Sequence, residues 1–217
     1  LSGVLQHLQQ SPQHIYGFDL SWSRLAYARR WLDRCALNQV TLSTGTLHCI
    51  PFADNSIDIV YTSHSIEPNG GREEPILREL YRVARQWLVL VEPGYELAEE
   101  QARKRMFAHG YCQNLVKTCQ RLGFDMVKHE LLSYSLNPLN PSAVIVIRKN
   151  TQEPLPTHQL ACPRFKTPLL PLGGALYSEE ALAVYPVIGG IPCLRPESAI
   201  LASHYPEFIE SPSGEGP

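Results

Sequence analysis

An acidic residue, Asp19, stands where an apolar run typical of a strand gives way to a helical pattern. In a doubly wound sheet, ligands bind at the carboxyl ends of the strands. A carboxylate at that point can accept hydrogen bonds from both hydroxyls of a ribose. An Asp just before a helix also stabilises the helix N-terminus, so both interpretations of Asp19 stay open.

A second candidate is the turn that follows the next predicted strand and begins at Gly45. Residues 45–60 read GTLHCIPFADNSIDIV, so an apolar Pro-Phe pair and a polar turn separate two strands. The turn could place backbone groups beside a planar base, with Leu47 and Ile50 packing on the face of that base.

The third candidate follows another predicted strand and contains His64 and Glu67, at the edge of the sheet where ligands bind. His64 is either a hydrogen-bonded structural residue beneath a cofactor or a catalytic base. Because Glu67 precedes Pro68, a helix through it is disfavoured, and its carboxylate faces either the pocket or solvent. Tyr95 and His109 are further candidates for acid or base chemistry.

The strands and helices that position these residues are predicted from short apolar runs that alternate with helical patterns. This alternation is typical of a parallel sheet covered on both faces. Strands are predicted at residues 14–19, 40–43, 57–62 and 87–92, and helices at residues 21–35, 73–85, 96–106 and 111–122. Two later strands, at residues 125–132 and 143–149, have no helix between them, which indicates an antiparallel edge. The expected fold class is α/β, with a doubly wound, mostly parallel sheet, an antiparallel edge and a small α+β second domain.

Changes in composition indicate the domain boundaries. Residues 1–150 form the predicted α/β domain, and a polar linker with two prolines follows it. Residues 157–205, which are dense in proline, form the predicted second domain. Residues 206–217 have the composition of a flexible tail.

The overall composition narrows the classes of partner. Hydrophobic residues make up 44% and charged residues 18% of the chain, which favours a packed core. The net charge of -2 and the lack of a long basic run argue against a nucleic-acid substrate. No apolar stretch reaches the roughly 20 residues that span a membrane.

The N-terminal residues and the cysteines indicate the cellular compartment of the protein. The first residues do not resemble a signal peptide, and without a starting Met we expect the chain to be part of a longer protein. Six cysteines without a C-x-x-C pair predict reduced thiols and a cytoplasmic location. Four of these cysteines are interpreted as small buried apolar side chains: Cys35, Cys49, Cys112 and Cys119.

The three candidate segments together resemble the Rossmann-like class I S-adenosylmethionine-dependent methyltransferases. Members typically carry a strand ending in Asp or Glu, then G-D-A-x-x-L-P-F, then S-F-D-x-V, then S-x-x-x-x-H. The corresponding segments here are Asp19, residues 45–52 (GTLHCIPF), residues 56–60 (SIDIV) and residues 63–68 (SHSIEP). The resemblance covers about residues 1–149 and depends on the order and spacing of these pieces.

The resemblance implies S-adenosylmethionine as the cofactor. Asp19, with Leu20 beside it, would bind the ribose hydroxyls, and Thr46 and Leu47 would lie along the adenine. Ser63 and His64 would line the methionine side, where His64 and Glu67 are the catalytic candidates. The implied cofactor-binding residues are therefore Gly3, Asp19, Leu20, Thr46, Leu47, Ser63 and His64.

The sequence departs from the family pattern at two places. Thr46 stands where the family usually has an acid that bonds the adenine amine. Only Ser2 and Gly3 could be the last residues of the family's Gly-rich loop, and the strand before that loop is absent. We expect that strand and loop to lie in an omitted N-terminal stretch, because the sheet needs its central strand.

The C-terminal region resembles the small YcaR-like proteins, relatives of the activator subunit of certain RNA and protein methyltransferases. The resemblance lies in residues 160–169 (LACPRFKTPL) and 183–194 (AVYPVIGGIPCL). The zinc-ribbon form carries C-P-x-C-K, but Phe165 occupies the second Cys position here. Since Cys162 and Cys193 alone cannot supply four ligands, we predict apolar packing and no metal.

Methyl transfer to a small molecule or a biosynthetic intermediate is the leading functional hypothesis. Transfer from a sulfonium mainly requires alignment and exclusion of water, so an obvious catalytic triad is not needed. An RNA or protein methyltransferase is the first alternative, suggested by the activator-like segment. The second is a non-enzymatic binding protein on a decayed methyltransferase fold. The sequence does not indicate the oligomeric state.

Overall fold

The structure is a computed structural model and describes residues 8, 12–37, 39–134 and 137–210. The chain divides into two compact units. One combines Leu1–Pro51 with Leu160–Pro217, and the other is Phe52–Gln159. Each unit has its own strands and helices.

The N-terminal part of the first unit is a β-α-β arrangement. Strand β1 (Ile15–Asp19) pairs in parallel with β2 (Val40–Thr44), and helix α1 (Trp22–Arg34) connects them. Ser21 is the N-cap of α1, and its hydroxyl accepts the N–H of Arg24 at 3.3 Å. Leu25 and Leu32 of α1 are buried against the apolar residues of both strands.

The second unit contains a four-stranded mixed sheet and three helices. The strands are β3 (Ile57–Ser63), β4 (Ala84–Pro93), β5 (Asp125–Leu131) and β6 (Ser142–Arg148), and the helices are α2 (Glu73–Val83), α3 (Glu100–Ala108) and α4 (Leu115–Arg121). The order in the sheet is β3-β4-β6-β5, with β3 and β4 parallel and the other pairs antiparallel. Helix α2 packs against β4 and α4, and its buried face consists of Ile76, Leu77, Leu80 and Val83.

The C-terminal part of the first unit is made of short strands. The strands β7 (Leu170–Leu172), β8 (Ala175–Ser178), β9 (Ala183–Tyr185) and β12 (Ile200–Leu201) form an antiparallel sheet in the order β12-β9-β8-β7. The strands β10 (Val187–Ile188) and β11 (Ile191–Pro192) form a separate hairpin. The last helix is α5 (Tyr205–Glu210), which includes the first residues of the predicted tail; residues 211–217 lie outside the described residues.

These elements confirm the predicted α/β class, the antiparallel edge and the small additional sheet. Three helix boundaries predicted from the sequence are wrong. Helix α2 ends at Val83, because Ala84 is extended and already begins β4. A 3-10 turn at Tyr95–Leu97 precedes α3, and extended backbone at Ala98 separates the two.

The third boundary is the start of α4, which we predict at residue 111 and observe at Leu115. The N–H of Cys112 bonds to the carbonyl of Glu67, and the N–H of Gln113 bonds to the carboxylate of Glu73. These partners lie outside the helix, so the residues before Leu115 follow a different path.

Six cysteines carry free thiols. Cys112 and Cys119 are buried, as predicted for small apolar side chains, and Cys162 and Cys193 are buried as well. Cys35 and Cys49 are only half-buried.

Candidate functional site

Asp19 ends β1 at the carboxyl edge of the parallel pair, as predicted. One carboxylate oxygen, Oδ1, accepts the N–H of Ser21 at 2.8 Å, and Oδ2 lies 3.8 Å from the Arg24 guanidinium. The side chain is 35% exposed, so a ligand can reach it. Asp19 therefore holds the N–H of the N-cap residue Ser21 and also presents a carboxylate at the edge where ligands bind.

The turn at residues 45–51, called the 45–51 turn below, lies directly beside Asp19. The N–H of Gly45 bonds to the carbonyl of Asp19 at 3.0 Å, and the N–H of Cys49 bonds to the carbonyl of Thr46 at 3.1 Å. A Cβ at Gly45 would lie 3.0 Å from the Phe18 ring and 3.1 Å from Pro51, so the backbone packs tightly there. The structure thus brings Asp19, Leu20, Thr46 and Leu47 to one edge of the β1–β2 sheet.

A buried hydroxyl, that of Thr44, lies near Asp19 and bears on whether this edge of the β1–β2 sheet suits a polar cofactor. Thr44 pairs with Asp19 in the sheet register, and its side chain is only 4% exposed. Its Oγ1 has no hydrogen-bond partner among the described residues. Since buried polar groups normally have a partner, an unpaired hydroxyl next to a carboxylate fits the ribose of S-adenosylmethionine.

In the second unit, His64 follows β3 directly and adopts a left-handed backbone conformation with φ of 52°. Its Nδ1 contacts the carboxylate of Glu67, and its Nε2 lies 2.8 Å from the hydroxyl of Ser142. The Glu67 side chain is 14% exposed, so the carboxylate faces the protein more than solvent. A carboxylate on one ring nitrogen fixes the tautomer and orientation of the imidazole, which suits either a structural or a catalytic His.

A buried carboxylate holds the backbone that follows His64. The side chain of Glu92, at the end of β4, accepts the backbone N–H groups of Ser65, Ile66 and Glu67, each at 3.1 Å. Burial raises the pKa of Glu92, although these N–H bonds favour the charged form. Glu92 therefore fixes the turn that carries His64 and Glu67.

The remaining predicted residues differ in their surroundings. Ser63 and Leu20 are exposed. Tyr95 packs against the buried side chains of α3, whereas the exposed His109 stacks on Tyr111. Gly3 lies outside the described residues, so its place is not described. The roles of all these residues in binding and catalysis stay predictions.

Sequence reasoning missed Ser142 and Asn140. Ser142 contacts His64, and the amide of Asn140 donates to Glu67 at 3.4 Å. The predicted antiparallel edge of the sheet was the sequence feature that could have pointed to these two residues. An antiparallel strand beside β4 must start where β4 ends, and Ser142 indeed pairs with Pro93.

Within the described ranges, no group of three or more His, Cys, Asp or Glu side chains is placed to hold a metal ion. No helix in the described part of the chain is long and apolar enough to cross a membrane.

Comparison with known sequences adds a family match in the N-terminal part of the chain. Residues 2–89 match the methyltransferase domain family. The matched range contains Asp19, the 45–51 turn, Ser63 and His64, whereas Tyr95 and His109 lie beyond it. It supports a class I methyltransferase with S-adenosylmethionine as the cofactor. No curated protein gave a significant match.

Several solved structures share the fold at low sequence identity. The [4+2]-cyclase SpnF has a TM-score of 0.53 and 17% identity, over 68% of this chain and 71% of that chain. A geranyl diphosphate methyltransferase in complex with SAM has a TM-score of 0.52 and 12% identity, over 67% and 72%. A chain of the complex between the Haloferax volcanii Trm112 methyltransferase activator and a candidate methyltransferase has a TM-score of 0.53 and 14% identity, over 68% and 78%.

Proposed function

We propose that this protein transfers the methyl group of S-adenosylmethionine to a small molecule or a biosynthetic intermediate. The observation that carries the proposal is the match of residues 2–89 to the methyltransferase domain family. The carboxylate of Asp19 and the unpaired hydroxyl of Thr44, at one strand edge, supply polar groups suited to a ribose.

Each part of the candidate site has a proposed role. The carboxylate of Asp19 accepts the ribose hydroxyls, and Thr46 and Leu47 lie along the adenine. Ser63 and His64 line the methionine side. The bound cofactor supplies an electrophilic methyl group, and the protein aligns the acceptor with it and excludes water.

His64 is the proposed base for acceptors that must lose a proton. Glu67 holds its Nδ1, which directs Nε2 toward Ser142. An acceptor that displaced the Ser142 hydroxyl could give its proton to Nε2, and the Glu67 carboxylate would stabilise the imidazolium that forms. Glu67 acts in this step through His64.

The small-molecule acceptor is supported by charge. The chain carries a net charge of -2 and no long basic run, unlike proteins that bind a phosphate backbone electrostatically. One structure of similar fold is a geranyl diphosphate methyltransferase, and the small molecule in its name supports this choice of acceptor.

An RNA or protein methyltransferase is the second candidate. It is supported by the resemblance of residues 160–194 to YcaR-like activator relatives and by the fold shared with the Trm112 complex. A non-enzymatic role is the third candidate, because Thr46 replaces the usual adenine-binding acid. The cyclase of similar fold also shows that the fold does not by itself specify methyl transfer.

Calorimetric titration of S-adenosylmethionine and S-adenosylhomocysteine into the full-length protein tests the proposal. We expect binding by the unmodified protein and at least a roughly tenfold weaker affinity for Asp19→Ala, because hydrogen bonds to charged groups are worth about 1.5–3 kcal/mol. Asp19→Asn keeps an acceptor for the N–H of Ser21 and so preserves the helix start while removing the charge. The affinity of Asp19→Asn for S-adenosylmethionine should lie between those of the unmodified protein and Asp19→Ala.

The control is Asp33→Ala, which removes an exposed carboxylate at the other end of α1. Its affinity should equal that of the unmodified protein. If the full-length protein binds neither ligand, the non-enzymatic candidate replaces the proposal. If it binds both, release of S-adenosylhomocysteine in the presence of small-molecule, RNA and protein acceptors separates the two enzymatic candidates.

A further inference from the structure

The C-terminal segment, residues 160–198, contacts the part of the first unit that carries Asp19 and Thr46. The indole N–H of Trp22, at the start of α1, donates to the carbonyl of Ile188 at 3.0 Å. Cys193 forms a parallel bridge with Thr44, the last residue of β2. The segment therefore lies beside the end of β2, next to one of the proposed ribose-binding groups.

Two more contacts reach the 45–51 turn itself. The N–H of Ala161 donates to the carbonyl of Pro51 at 3.0 Å, and the ammonium of Lys166 lies 3.3 Å from the carbonyl of Ile50. At the other end, the N–H of Gly45 is bonded to the carbonyl of Asp19. The turn is thus fixed by β1 where it begins and by the C-terminal segment where it ends.

Lys166 is well placed to hold this turn. Its ammonium also donates to the carbonyl of Pro163 at 2.7 Å, so one charged group joins two carbonyls. The backbone around it is fixed by hydrogen bonds from Lys166 N–H to Cys162 and from Cys162 N–H to Thr167, both at 2.8 Å. The ammonium is half-buried, and charged donors form stronger hydrogen bonds than neutral ones.

We propose that the C-terminal segment is a positioning element for cofactor binding, with Lys166 and Ala161 holding the 45–51 turn in the conformation that receives the nucleoside. This inference rests on the proposed function, which places Thr46 and Leu47 along the adenine. Lys166 acts through the turn and does not itself contact the cofactor.

The test compares Lys166→Ala, Lys166→Arg and the control Lys128→Ala in the full-length protein. Lys128 is a half-exposed residue of β5 that pairs with Glu130. The first measurement is amide hydrogen exchange without cofactor, followed in peptides that cover the 45–51 turn. We expect faster exchange in Lys166→Ala, unchanged exchange in Lys128→Ala, and largely restored protection in Lys166→Arg, since arginine can still donate to a carbonyl.

The second measurement is the affinity for S-adenosylmethionine. We expect a roughly five- to tenfold weaker affinity in Lys166→Ala, recovery in Lys166→Arg and no change in Lys128→Ala. A general loss of fold would be seen as faster exchange throughout β1 and α1, whereas a positioning role confines the change to the turn.

The two measurements separate the possible failures. Unchanged exchange at the turn in Lys166→Ala overturns the inference, and so does faster exchange with an unchanged affinity. If the unmodified protein does not bind S-adenosylmethionine, the proposed function fails, and the exchange measurement still decides whether Lys166 holds the turn.

Discussion

At the scale of single residues, Glu92 links the end of β4 to the turn that carries His64. Its side chain is 1% exposed and accepts three consecutive backbone N–H groups. Burial disfavours the carboxylate, while the N–H bonds favour it, and burial has the larger effect on the pKa. The protein therefore keeps a costly buried acid where it orders the backbone of a candidate site.

This balance predicts a pH dependence of stability. In the unfolded chain Glu92 titrates near its ordinary pKa of about 4.3, and in the folded protein the pKa is higher. The folded state thus binds this proton more tightly, so the stabilising contribution is complete below about pH 4.3 and is lost as the pH rises through the folded pKa. Each pH unit between the two pKa values changes the free energy of unfolding by about 1.4 kcal/mol.

Urea denaturation of the unmodified protein and of Glu92→Gln at several pH values measures this effect. The variant has no titrating carboxyl at position 92, so the unmodified protein should lose stability relative to it as the pH rises from about 4.3 through the raised folded pKa. Glu130→Gln, on the exposed side of β5, controls for removing a carboxylate. If the free energy of unfolding of the unmodified protein stays constant or rises relative to that of Glu92→Gln as the pH increases, the assignment is contradicted.

The candidate residues show how far the sequence leads. The positions of Asp19, His64 and Glu67 could be predicted because Asp19 ends a strand and the other two lie just after one, and strand ends are recognisable from apolar runs. Ser142 and Asn140 could not, because they come from a connection far along the chain. Their contacts with His64 and Glu67 depend on the pairing of β6 with β4.

At the scale of elements, the strands were predicted more accurately than the helices. An apolar run such as residues 87–92 marks a buried strand whatever its neighbours are, and the structure places β4 there. Helix ends depend on partners that the local sequence does not contain. The N–H groups of Cys112 and Gln113, before α4, bond to Glu67 and Glu73, which lie 45 and 40 residues earlier in the chain.

The junction between β4 and the following 3-10 turn gives a prediction at this scale. Gly94 is buried, and its N–H donates to the carbonyl of Pro141 at 2.8 Å. A Cβ there would lie 2.6 Å from the end of Leu131 and 3.0 Å from the Cβ of Ala143. Gly94→Ala should therefore destabilise the protein by about 1–3 kcal/mol, as overpacking does in protein cores.

Urea denaturation of a double-mutant cycle with Leu131→Ala tests the cause. Truncating Leu131 removes the nearer of the two clashes, so the double variant should be less destabilised than the sum of the single variants. Additive effects would mean that the clash with Leu131 is not the origin of the loss.

At the scale of the whole molecule, the first unit is assembled from both ends of the chain. Composition indicates a change of texture near residue 157, but it does not say what the following segment packs against. The structure shows that Ile191 of β11 is buried in one cluster with Ile15, Leu25, Leu32, Val40 and Leu42. This association is long-range, and no local pattern in the sequence encodes it.

Ile191→Ala should therefore destabilise the N-terminal β-α-β arrangement, although the substituted residue is about 150 positions away from it. Ile191 is 1% exposed, and truncation of a buried Ile to Ala typically costs about 2–5 kcal/mol. Ile188→Ala, in the same hairpin at 51% exposure, is the matched control and should change stability by only about 0.5 kcal/mol. Hydrogen exchange distinguishes the two expected patterns, because Ile191→Ala should lower protection in β1, α1 and β2 as well as in its own hairpin. Loss of protection confined to residues 187–192 would mean that β11 contacts the N-terminal core without stabilising it.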